Sequence, residues 1–144
     1  MVIKWLGEFP NLMHTYFRLT SPETPYYNCI AWAAGDDSAW WWPDEDYYCY
    51  WPSGIPREES LDAFIEAYRT LGYEPCSGDD IEEGCEKIAI YVKNGKPKHA
   101  ARQLPNGNWT SKLGQENDIE HTLVGVECFT YGTVGQIMKR RKKD

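Results

Sequence analysis

Apolar positions give the chain its first legible element. Leu61, Phe64, Ile65, Tyr68 and Leu71 fall at i, i+3, i+4, i+7 and i+10 and stop at Gly72. That one-sided stripe predicts an amphipathic helix ending at the glycine. Glu58, Glu59 and Asp62 sit near its start, where the helix dipole favours them. A shorter apolar run, Cys29-Ile30-Ala31-Trp32-Ala33-Ala34, follows Pro25 and reaches Gly35. It predicts a short buried helix over roughly 29–36 with Cys29 on the first turn. Between the two helices, Trp40 to Pro52 has no period of 2 or 3.6 and is broken by Pro43. This segment reads as an irregular loop packed by its own rings.

The pattern then changes to that of strands. Lys87-Ile88-Ala89-Ile90-Tyr91-Val92-Lys93 is rich in β-formers and ends at Asn94-Gly95, a tight-hairpin pair. His99 to Leu104 pairs back on it, Pro105-Asn106-Gly107-Asn108 turns again, and Trp109 to Leu113 forms a third strand. A last strand runs from Thr133 to Lys139. The first 25 residues carry Pro10, Pro22 and Pro25 and read as loop. The predicted architecture is α+β, with N-terminal helices packed on a small antiparallel β-sheet. Residues 1–144 form one domain of ordinary size, and the basic run at 139–144 reads as a frayed tail.

Composition sharpens the picture in three places. Seven Trp, ten Tyr and four Phe exceed what a core of this size needs, so some rings are expected to line a binding cleft. A formal charge of −7 opposes nucleic acid as the main partner. The five cysteines are odd in number, scattered, and include no C-x-x-C pair, so neither a zinc knuckle nor a redox motif is expected. Asp118 and His121, at i and i+3, are too few to make a metal site, and no cofactor is implied. No apolar run is long enough to span a membrane, and the Met1–Leu6 start lacks a leader pattern. Reduced thiols in the cytoplasm are the expectation, with export lacking a classical signal peptide as the variant. Cys76 and Cys85 would bridge only in an oxidising compartment.

Two residues carry the candidate chemistry. Amide N–H groups and the dipole at a helix start would stabilise a thiolate on Cys29. Far downstream His99 heads a strand, so strands packing on the helix can bring an imidazole to the thiol, which would then attack a carbonyl carbon. The Cys29 N–H would help hold the oxyanion, with Asn28 as a second donor or simply as the helix cap. If Asn106-Gly107 is a two-residue turn, His99 lies opposite Gly114, and Glu116 is the first choice to orient the imidazole. Asp118 is the second choice. In that tight register Ser111 points to the other face, and a turn one residue longer brings Gln115 forward instead. Trp40, Trp41, Trp42 and Trp109 are candidate cleft walls, with Asp44, Glu45 and Asp46 on the rim. His14 and His121 read as structural.

A cysteine opening a helix in Asn28-Cys29-Ile30-Ala31-Trp32, then a histidine heading a strand after Lys87–Val92, resembles the papain-like superfamily. The likeness is to its compact bacterial branch of NlpC/P60 and CHAP amidases, over roughly residues 26–116. It implies a cysteine-dependent hydrolase of an amide or peptide bond, with a peptide, protein or amide-containing substrate. Asn28 stands where better-known members carry Asp or Gln before the cysteine. The competing expectation is a non-catalytic protein-binding or regulatory module with an aromatic-lined cleft.

Overall fold

The computed structural model describes residues 3–142. Its framework is one seven-stranded antiparallel sheet in the order β1-β6-β5-β4-β3-β7-β2. The strands are β1 (Phe17–Leu19), β2 (Glu74–Cys76), β3 (Cys85–Lys93), β4 (Lys96–Gln103), β5 (Trp109–Lys112), β6 (Asp118–His121) and β7 (Thr133–Arg141). β3 to β6 form a consecutive meander. β7 then returns to the far side of β3, and the short β1 and β2 close the two edges. Among the described residues there are two α-helices, α1 (Cys29–Ala33) and α2 (Leu61–Arg69), besides three short 3-10 turns. The expected plan of helices packed on a small sheet is therefore overturned. The sheet is the body of the molecule and the helices are minor additions to one face.

Strand alternation sorts the core into two layers. Ile88, Ile90, Ala100 and Met138 face α1, α2 and the tryptophan loop. Ala89, Tyr91, Ala101, Trp109, Ile119 and Ile137 face the N-terminal 3-10 turns and the segment around Val126. With both faces covered, even the polar strands β5 and β6 are buried throughout. α2 follows the predicted stripe: Ser60 caps it by accepting from the Ala63 N–H, and Phe64 and Tyr68 are fully buried. The Tyr68 hydroxyl donates to the Ile30 carbonyl at 2.9 Å, tying α2 to α1. α1 stops three residues short of the predicted end because the backbone turns at Gly35, whose φ is +85°.

The β3–β4 hairpin turns at Asn94-Gly95 with positive φ at both residues, as the sequence predicts. The β4–β5 connection is longer than the predicted two-residue turn. Arg102 pairs with Thr110 and Gln103 with Trp109, one residue away from that register. Such a slip exchanges the faces of every side chain on the strand. Lys139, Arg140 and Arg141 belong to β7 and pair with β3, so they are not a frayed tail. Lys143 and Asp144, like Met1 and Val2 of the chain start, lie outside the described residues. Among the described residues no helix is long and apolar enough to cross a membrane.

Candidate active site

Asn28 fixes the start of α1. Its Oδ1 accepts from the N–H groups of Ala31 at 3.1 Å and Trp41 at 3.0 Å, while its Nδ2 donates to the Trp41 carbonyl at 2.8 Å. Asn28 is therefore a cap and a clamp on the tryptophan loop, with one of its two Nδ2 hydrogens taken by the Trp41 carbonyl. Cys29 is the first residue of the helix and is buried. The backbone N–H groups of Ala100, Ile30 and Cys29 itself lie against its sulfur and favour the thiolate. Burial outweighs them and pushes the thiol up to about 11. The expectation of a depressed thiol is corrected: a five-residue helix start does not offset full desolvation, and Cys29 rests as a neutral thiol.

The sulfur borders a cavity of about 360 Å³ lined by Asn28, Trp40, Trp42, Cys49, Lys98, Gly114 and Tyr131. Trp40 and Trp42 are walls as expected. Trp41 is core, donating its indole N–H to Asp36 and packing on Tyr50 with ring centroids 4.8 Å apart. Trp109 is buried in the layer on the other face of the sheet and borders no part of this cavity. Asp44 is not a free rim charge either. Its carboxylate accepts from the Tyr48 and Cys49 N–H groups and pairs with Arg57.

His99 heads toward the site without completing it. The following residue, Ala100, supplies an N–H at the Cys29 sulfur, yet the His99 ring turns to the layer of Tyr91. It is fully buried and stacks on Tyr131 with centroids 4.0 Å apart and planes 7° apart. Neither ring nitrogen has a hydrogen-bond partner, so the expected thiol–imidazole hydrogen bond is not formed. Burial, then the neighbouring His121, holds its pKa well below the ordinary histidine range.

The expected third residue is also displaced. Glu116 lies beyond β5, around a separate cavity with Trp5, Phe9 and Tyr131, and its Oε2 is buried without a partner. Gln115 is exposed. Asp118 accepts from the Tyr27 hydroxyl at 2.6 Å on the α1 side. The observed register puts Ser111 on the His99 face, where its hydroxyl meets His121 Nε2 at 2.6 Å. His121 Nδ1 meets the Thr122 carbonyl at 2.6 Å, so this buried imidazole has both nitrogens engaged, and burial pushes it down to about 4. His14 is exposed.

Lys112 is the group that sequence reasoning missed. It is fully buried on the α1 face, donates to the Glu116 carbonyl, and lies 5.3 Å from the centre of the Tyr27 ring. Burial lowers its pKa, while Asp118, Glu116 and Cys29 oppose that. Trp109-Thr110-Ser111-Lys112 shows no apolar alternation, so nothing local marks Lys112 as interior. Tyr131 was equally silent. It is presented by a turn closed between Cys128 and Gly132, where a Cβ on Gly132 would overlap the Val92 carbonyl.

The model of a domain of unknown function, DUF7689, matches residues 18–139. The chain belongs to the DUF7689 family. No curated protein and no solved structure matches it. The DUF7689 match encloses α1, the tryptophan loop, β4 and Tyr131, and so every group that borders the Cys29 cavity.

Proposed function

We propose that this DUF7689 chain is a cysteine-dependent hydrolase of amide or peptide bonds, with Cys29 as nucleophile and His99 as base. One observation carries the reading. A fully buried imidazole with two uncommitted nitrogens sits one residue from the N–H that meets the Cys29 sulfur. Buried polar groups without partners are rare in native structures, and a catalytic role is one of the reasons they persist. The aromatic cavity beside the thiol gives an acyl group somewhere to bind.

In this reading the described conformation is a resting state. Because His99 faces the layer opposite α1, bringing it to the thiol takes displacement of the Tyr131 ring together with a local rearrangement of β4 at its bulge. The imidazole takes the thiol proton, sulfur attacks the carbonyl carbon, and the N–H of Cys29 helps hold the oxyanion. Collapse breaks the C–N bond, and the amine leaves with the proton from the imidazolium. Water then hydrolyses the thioester with His99 again as base. The second reading, a non-catalytic binding module, draws on the neutral thiol and the unformed hydrogen bond.

Treatment with 4-nitrophenyl acetate followed by intact-mass and peptide mapping separates the two. The hydrolase reading expects one acetyl adduct, on Cys29, that decays with time and is lost in Cys29→Ser. Adducts spread over surface lysines and the other cysteines, unchanged by Cys29→Ser, would support the binder and end the proposal.

A further inference from the structure

On a chain of net charge −7, the β3–β4 hairpin carries three lysines within six residues, Lys93, Lys96 and Lys98. Lys93 and Lys96 face each other directly across the ladder. Like charges in that position destabilise a hairpin, and among the described residues no acid pairs with any of the three. Lys98 falls at the register irregularity of β4, where Tyr91 pairs with His99 and Val92 with Pro97. Bulges of this kind re-aim side chains beside sites. Here the bulge directs Lys98 into the wall of the Cys29 cavity.

The same lysine lines a second, open cavity of about 570 Å³, together with Lys93, Asn94, Lys96, Phe129 and Thr130. Phe129 is 87% exposed, and Lys93 Nζ sits 3.2 Å from its ring centre. The lysine-lined cavity thus shares Lys98 with the thiol cavity, and the exposed Phe129 ring is its one large apolar side chain. Asp44, whose carboxylate accepts from the N–H of the cavity residue Cys49, is paired with Arg57.

We infer that the lysine-lined cavity receives an acidic polypeptide segment and delivers it to Cys29. Three ammonium groups select carboxylates, and Phe129 contributes an apolar contact. Three lysines on a molecule this acidic are too few to hold a nucleic acid backbone. The inference rests on the Cys29 cavity being the reactive site, yet its test needs no turnover, so failure of one is distinguishable from failure of the other.

Alkylation of Cys29 at pH 8.5 is followed by peptide mapping with iodoacetate, an anion, and with iodoacetamide, its neutral counterpart. The ratio of the two rate constants cancels changes in thiol exposure and reads local potential. Lys93→Glu/Lys96→Glu should lower the ratio about threefold at low ionic strength, and high salt should erase the difference. Lys93→Gln/Lys96→Gln, which removes charge without reversing it, should give an intermediate ratio. Octaglutamate should slow iodoacetamide alkylation of Cys29 in the parent more than in the double Glu variant, whereas octalysine should not. Ratios equal in all three proteins, or equal protection by octaglutamate, octalysine and an eight-nucleotide oligothymidylate, would overturn the inference.

Discussion

Mild acid should weaken this fold through two buried imidazoles. His121 is folded with its pKa pushed down to about 4 by burial, against an ordinary value of 6.5. A depressed histidine contributes stability as the neutral form above its unfolded pKa and loses it as pH falls toward the folded value. Between pH 7 and pH 5 that linkage removes about 1.8 kcal/mol for His121 alone, at 1.36 kcal/mol per unit. His99, depressed by the same burial, adds to the loss with the same sign. Glu120, held low first by the Asn108 and Asn106 amides, destabilises only below its ordinary range.

Urea unfolding followed by tryptophan emission at pH 7, 6 and 5 measures the slope. His99→Phe sharpens the test, because it removes one titrating group while keeping a ring against Tyr131. The variant should be within about 1 kcal/mol of the parent at pH 7, since it also removes two desolvated, unpartnered nitrogens. Its loss of stability between pH 7 and 5 should be smaller than the parent's. Stability independent of pH in this window, or a His99→Phe slope equal to the parent's, would refute the reasoning.

Other expectations follow from single side chains. Asn28→Ala removes the α1 cap and both bonds to Trp41, and should cost about 2–4 kcal/mol in denaturant unfolding. Ser111→Ala strands His121 Nε2 in a dry interior and should cost about 1–3 kcal/mol at pH 7. The fully buried Lys87 holds the Gly78 and Asp80 carbonyls at 2.7 Å each and pairs with Glu82. Lys87→Met should therefore open residues 78–82 to limited proteolysis ahead of the rest of the chain.

What the sequence disclosed divides along physical lines. α2 and the β3–β4 hairpin were legible because each has a local cause, an apolar stripe in one and Asn94-Gly95 in the other. β1 and β2 are three residues each, too short to show a period, and their pairing to β6 and β7 is decided by the rest of the sheet. β6 reads Asp-Ile-Glu-His and is wholly buried, its side chains meeting partners distant in sequence such as Tyr27, Asn106 and Ser111, with Asp118 Oδ1 left without one. The site was partly legible for the same reason. Cys29 on a helix start follows from local pattern, whereas β4 begins at Lys96, which makes His99 its fourth residue and not the strand head the sequence predicted. The face of His99 is set by its pairing with Tyr91 past the β4 bulge, and which β5 residue shares that face turns on a loop length that Pro105 to Asn108 leaves open by one residue. That residue exchanged Ser111 for the Glu116 side.

The central claim is that His99 serves as base to the Cys29 thiol. Single-turnover acylation of Cys29 by 4-nitrophenyl acetate at pH 7.5, parent against His99→Phe, tests it most directly. The account predicts a rate about 100-fold or more lower in the folded His99→Phe protein, the usual effect of losing a positioned base. Equal acylation rates in the two proteins would contradict it.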